Sequence, residues 1–217
     1  MKKDFRGKCV ILDAGHGGVI DKVYQTPGKR SYFKGGVLVG EKDGPDEHYY
    51  EGQGNRKILA KLAAMLAAAD IDYFIASPGD KDTGLKTRCD NANYKAKQVG
   101  VNNCLYVSIH SDAHSNSDAH GWSVFTSPGQ TDSDAVATEC YEQAKLMWPD
   151  ETFRLGNGDG DPDKEEKFYV LVNTKMRAIL VENFFMTNHK DYTRHLKTEE
   201  GLTEIATVLF HTIYNSL

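Results

Sequence analysis

Three apolar stretches of this chain end on side chains that can hold a metal or move a proton. Cys9 to Leu12 gives way to Asp13, Ala14, Gly15 and His16, with Gly17 and Gly18 behind. Cys104 to Ile109 runs into His110, and Arg177 to Val181 runs into Glu182. Core packing explains the apolar interiors but not an imidazole or an acid at every exit. Buried strands that stop in this way carry their last side chains to the carboxyl edge of a sheet, where α/β proteins place ligands. Two histidines and a carboxylate are a usual ligand set for a catalytic zinc, with the fourth position left to water. A further carboxylate beside that water would serve as general base. The spacing alone equally fits histidines that cap strands or bond to backbone, because the residues are scattered rather than grouped as H-E-x-x-H.

The elements that must position these groups alternate along the chain. Behind the strand that leads to His16 lies a polar stretch, 19–50, with glycines at 28, 35, 36, 40 and 44 and prolines at 27 and 45. Compact domains seldom need so long a connection, so it reads as a lid or a small hairpin insertion, with Val37-Leu38-Val39 as one arm. From Glu51 to Ala69, residues Ile58, Leu59, Leu62, Met65 and Leu66 recur at helical spacing on one face. Asp72 to Ala76 reads as a strand, 77–84 as a turn-rich loop, Leu85 to Val99 as a helix, and Gly121 to Thr126 as a strand. Asp132 to Met147 reads as a helix, Phe168 to Val172 as a short strand or helix, and Thr198 to Tyr214 as a closing helix. Strands alternating with helices predict a single α/β domain, with a mostly parallel or mixed twisted sheet of about six strands and helices on both faces. Neither an internal repeat nor a linker marks a second domain, so 1–217 is expected to be a single domain.

Composition narrows the partners. The 217 residues are 40% hydrophobic and 26% charged, the balance of a folded globular chain. A net charge of −5 and a pI near 5.9 give no support for a nucleic-acid partner. No apolar run approaches the roughly 20 residues that span a bilayer, so no membrane partner is expected. Cys9, Cys89, Cys104 and Cys140 lie far apart without C-x-x-C spacing and read as buried free thiols. The start, Met-Lys-Lys-Asp-Phe-Arg-Gly-Lys, has no apolar h-region, so the chain is expected to stay in the cytoplasm until something releases it, or to be a trimmed secreted form.

Leu12-Asp13-Ala14-Gly15-His16-Gly17-Gly18 resembles the L-D-P-G-H-G-G opening of the zinc-dependent N-acetylmuramoyl-L-alanine amidases, bacterial and phage cell-wall enzymes. Glu51 with Asn55 and a helix behind it is similar to that family's second motif, and Leu85 to Asn93 to its L-x-x-R-x-x-x-A-N helix start. Tyr106 to Ala113 resembles S-I-H-x-N-A, Gly121 to Val124 the strand after it, and Ile179 to Asn188 resembles L-V-E-x-G-F-x-x-N. The motifs stand in family order and cover most of the chain outside 19–50 and 149–166. The resemblance implies Zn2+ held by His16, Glu51 and His110, and Glu182 as the catalytic carboxylate. It implies a peptidoglycan (muropeptide) substrate cut between N-acetylmuramic acid and L-alanine; with neither a signal segment nor a separate wall-binding domain visible, a monomer acting as a phage endolysin released through a holin, or as a bacterial autolysin, is expected. A zinc carboxypeptidase on wall peptides and a silent wall-binding module are the competing expectations. The chain departs from the family pattern at Ala14 and Asn183, which replace a proline and a glycine, and at Met176-Arg177, where a proline generally precedes the last strand. Glu41 and Glu47 compete with Glu51 for the third ligand, and only Glu51 is followed by both Asn55 and the helix.

Other groups have plainer readings. His110 and His114 have the i, i+4 spacing of a helical metal pair, but the following Ser-Asn-Ser-Asp is loop chemistry, so His114 and His120 read as surface residues. Asp159, Asp161 and Asp163 alternate like the start of a calcium loop, but Lys164 stands where the turn needs glycine, so a solvated acidic loop is expected. His189, His195 and His211 are assigned to packing.

Overall fold

Strand-forming residues with two alternating apolar faces build the centre of the molecule. The computed structural model describes residues 3–156 and 160–217. In chain order its elements are β1 (Cys9–Ala14), β2 (Val19–Ile20), β3 (Val23–Tyr24), β4 (Arg30–Lys34), β5 (Val37–Val39), β6 (Glu47–Tyr50) and α1 (Glu51–Ala68). There follow β7 (Tyr73–Ile75), α2 (Leu85–Val99), β8 (Cys104–Asp112), β9 (Ser123–Thr126) and α3 (Asp134–Met147). The chain closes with β10 (Lys164–Glu165), α4 (Tyr169–Asn173), β11 (Arg177–Phe185), α5 (His189–Asp191) and α6 (Glu199–Ser216).

Six strands form one mixed sheet in the order β10-β9-β11-β8-β1-β7. β7, β1, β8 and β11 run parallel, and β9 lies antiparallel to β11. Alternate residues of each strand serve opposite layers, because the side-chain period of a strand is two. Val10, Leu12, Leu105, Val107, Ile179 and Val181 pack with α1, α3 and α6, whereas Cys9, Ile11, Cys104, Tyr106 and Leu180 pack with α2 and α4. Helices thus cover both faces, as the alternation of elements predicts. The four cysteines are buried and unbonded.

The insertion at 19–50 forms a β2–β3 hairpin and a three-stranded sheet ordered β5-β4-β6. Lys34 pairs with Val37 across Gly35 and Gly36, whose φ values are 55° and 80°. A two-residue hairpin turn with positive φ at both centres suits glycine, which pays no Cβ penalty there. Phe33 is buried and stacks on Tyr192 with centroids 5.1 Å apart, fixing this small sheet to the C-terminal part of the domain. Its last strand, β6, runs without a break into α1 and places Glu51 at the start of that helix.

One expectation is corrected. Asp159 lies outside the described residues, and Asp163 is buried rather than solvated, accepting a hydrogen bond from the Thr126 hydroxyl. β10 adds the acidic segment to β9 as the edge strand of the sheet, which removes Asp163 from water.

Candidate metal centre

Parallel strands that share a register bring their exits to one edge. Asp13 pairs with Ser108 and Ala14 with Ile109, so the chain after β1 meets the end of β8, while Glu182 on β11 stands opposite His110. His16 follows in a left-handed backbone conformation, φ 64°, that few non-glycine residues adopt. Its carbonyl oxygen accepts hydrogen bonds from Arg56 Nη1 at 2.8 Å and Arg88 Nη2 at 3.2 Å. The neighbouring Gly15 carbonyl accepts from Asn55 Nδ2 at 3.2 Å.

Glu51 Oε1 lies 3.1 Å from His110 Nδ1 and 3.3 Å from His16 Nε2. One ligand atom from each of the three residues falls within 4.8 Å of the others, the one such group of His, Cys, Asp or Glu found among the described residues. Glu51 is buried, and its Oε2 and the His16 Nε2 are buried without a hydrogen-bond partner. Unsatisfied buried polar atoms are costly, and a cation between them would use both. Donors about 2.0–2.1 Å from a tetrahedral zinc stand roughly 3.3 Å apart, close to the separations present here. Two imidazoles and one carboxylate therefore fit a zinc ion with a position to spare.

Charge in the cluster is already arranged. Burial pushes the Glu51 carboxyl up, but the close approach and charge of the His110 and His16 imidazoles outweigh it and hold Glu51 down to about 2. Burial opposes protonation of His110, yet its bond to Glu51 and the charges of Glu182 and Glu51 raise it above its ordinary value. Glu182 has the opposite character. Burial, reinforced by the charges of Glu51 and Asp112 and only partly opposed by His110, pushes it up to about 8. Its Oε2 is buried without a partner. A carboxyl that holds its proton near neutrality suits transfer in both directions.

A second layer fixes this edge. Asp13 and Arg88 form a buried ion pair at 2.5 Å, and Asp13 also accepts from the Tyr106 and Ser108 hydroxyls at 2.8 and 3.0 Å. Burial would raise Asp13, but the Arg88 charge and hydrogen bonds from neighbouring hydroxyls hold it below its usual value. Asn183, the departure from the expected glycine, donates through Nδ2 to the His110 carbonyl at 3.1 Å, beside an irregularity of β11 where Phe184 has φ 64°. The strand patterns did not reveal these roles. The only local signal was an aspartate at the end of an otherwise apolar strand.

His16, Glu51, His110 and Glu182 all gather here, and the rival acids do not. Glu47 pairs with His189 and Lys197, and Glu41 with Arg30. His114 and His120 occupy the exposed loop, where His114 Nδ1 accepts from the Asn116 N–H and His120 bonds to the Asp118 carbonyl and Thr152. His195 is buried and stacked on Phe184 with centroids 3.6 Å apart, consistent with a packing role. A cleft of about 510 Å³ opens over the cluster, and its walls include Lys29, Leu85, Phe168 and Tyr169.

Solved structures share this fold over nearly the whole chain. The N-acetylmuramoyl-L-alanine amidase of Clostridium difficile 630 is 24% identical with a TM-score of 0.73, covering 96% of this chain and 95% of its own. The corresponding amidase of Mycobacterium smegmatis is 20% identical with a TM-score of 0.74, covering 99% and 98%. The catalytic domain of an endolysin targeting Clostridia difficile is 20% identical with a TM-score of 0.60, covering 96% and 97%. No curated protein matches in sequence. The model of the Amidase_3 family, N-acetylmuramoyl-L-alanine amidase, matches residues 10–215, so the chain belongs to that family of amide-bond hydrolases acting on the cell wall.

Proposed function

We propose that this amidase hydrolyses the bond between the lactyl group of N-acetylmuramic acid and L-alanine of the peptidoglycan stem peptide. His16, Glu51 and His110 would hold zinc, and Glu182 would move the proton. The observation that carries the reading is the grouping of His16, Glu51 and His110 at one edge of the sheet, with Glu182 lining the same cleft as His16 and His110.

When bound, zinc supplies Lewis acidity that makes water a nucleophile near pH 7 and polarises the amide carbonyl. Glu182 accepts the proton of the attacking water and returns it to the leaving amide nitrogen, freeing the amine of L-alanine and a lactyl carboxylate. Burial of Glu182 raises its proton affinity, which lowers the cost of holding that proton between the two steps. Arg56 and Arg88 hold the carbonyl of His16, and Asn183 holds that of His110, so both imidazoles start from fixed backbone. The enzyme would work on the wall during phage lysis or bacterial wall turnover, and likeness to an endolysin catalytic domain supports the first setting.

Digestion of purified peptidoglycan by the zinc-loaded protein tests the reading. New amino termini should be L-alanine, matched by glycans ending in free lactyl carboxylates. Release of D-alanine instead would assign a carboxypeptidase, and binding to walls without any new amine would assign a silent module.

A further inference from the structure

The insertion carries a charged group that the reaction above leaves unused. Main-chain bonds fix Lys29. Its N–H donates to the Thr26 carbonyl at 3.2 Å, and its carbonyl accepts from Glu51 N at 3.0 Å and from the Tyr24 hydroxyl at 2.8 Å. The residue is thereby clamped to the first residue of α1, beside the metal cluster. Its side chain is exposed and lines the same cleft as His16, His110 and Glu182. Among the described residues the ammonium takes part in no hydrogen bond or ion pair.

The other permanent cation lining the cleft has no donor left. A guanidinium has five N–H groups. Those of Arg88 go to the Thr83 carbonyl, Asp13, the Ala14 carbonyl, the His16 carbonyl and Asp82. Lys29 therefore offers free donors to an anion in the cleft, and the structure spends none of them on itself. Its charge reaches Glu182, where it counts among the influences opposing the effect of burial.

A stem peptide beginning at the scissile amide presents L-alanine first and then a γ-linked D-glutamyl residue. That second residue bears an α-carboxyl which is either a free carboxylate or an amide. With about 3.3–3.6 Å of extended chain per residue, this group sits roughly 7 Å beyond the scissile nitrogen. It is the first anionic group on the peptide side of the bond. We propose that Lys29 binds this carboxylate and makes the enzyme selective for stem peptides whose second residue is free D-glutamate over those carrying the amide. The inference rests on the amidase reading given above.

A charge-assisted contact in a partly solvated cleft is expected to give about tenfold in kcat/KM, mostly through KM. The test uses two synthetic substrates, N-acetylmuramoyl-L-Ala-γ-D-Glu-L-Lys and its isoglutamine counterpart, with the zinc-loaded parent, Lys29→Met and Lys29→Arg. The parent should favour the carboxylate substrate about tenfold, Lys29→Met should lose the preference by losing only the carboxylate substrate, and Lys29→Arg should keep most of it. Equal cleavage of the two substrates by the parent overturns the inference. So does an equal loss on both substrates in Lys29→Met, which would mean that the lysine acts only on Glu182. If the parent releases alanine amines from neither substrate, the amidase reading itself fails and the inference falls with it.

Discussion

Adding a single methyl group at Gly15 should dismantle the metal site while leaving the fold intact. A Cβ on Gly15 would stand 2.5 Å from His110 Nδ1 and nearer still to Cε1 and Nε2 of the same ring. Ordinary van der Waals contact begins at 3.4 Å, so the imidazole must retreat by at least about 0.9 Å from Nδ1 alone. Ligand distances in a working metal site hold within about 0.2 Å, so a shift of this size costs His110 as a ligand. The backbone itself tolerates alanine, because Gly15 lies outside the positive-φ region and its N–H still reaches the Ile109 carbonyl at 3.0 Å. Gly15→Ala should therefore melt within a few degrees of the zinc-free parent while its zinc affinity falls at least about 100-fold. Competition against a chromogenic chelator measures the affinity, and circular dichroism the melting. Zinc affinity within about threefold of the parent would refute the steric reasoning and the place of His110 in the ligand set.

Two further substitutions test the layer behind the ligands. Arg56→Ala removes the donor to the His16 carbonyl at 2.8 Å and should weaken zinc about tenfold by releasing a strained backbone, again read by chelator competition. Asp13→Asn removes the buried counter-charge of the Arg88 guanidinium, leaving only the exposed Asp82 carboxylate at 3.4 Å, and should cost about 3 kcal/mol in urea unfolding at pH 7. Because the fold holds Asp13 below the usual aspartate value of 3.8, the stability it contributes is present above that pH and is lost as pH falls below it. The gap between parent and Asp13→Asn should accordingly be full at pH 7 and narrow below about pH 3.8.

Much of this arrangement is legible in the chain because its signals are local. Alternating apolar faces mark β1, β8 and β11, and their polar exits mark His16, His110 and Glu182 before any contact is known. Helical spacing marks α1, and Asn55 behind Glu51 separates it from Glu41 and Glu47; the Asn55 side chain does hold the Gly15 carbonyl. What stayed hidden depends on contacts between distant parts of the sequence. Asp13 and Arg88 are 75 residues apart, and neither carries a local mark of burial as an ion pair. Asp163 looked solvated in an acidic run, and only the pairing of the two-residue β10 with β9 reveals that it is buried. The insertion offered glycines and prolines but no strong period, so its three-stranded sheet, and the way it delivers both Glu51 and Lys29, follow from the fold alone.

The central claim is that His16, Glu51 and His110 bind the metal while Glu182 moves the proton, and one variant separates these two jobs. Glu182→Gln keeps the size of the side chain and removes its capacity to take a proton. Zinc content by atomic emission and release of L-alanine amines from purified walls should be measured on the same preparation. One zinc per chain with hydrolysis reduced at least about 1,000-fold is the result predicted. Loss of the zinc would move Glu182 into the ligand set, and wall cleavage near the parent rate would contradict its role altogether.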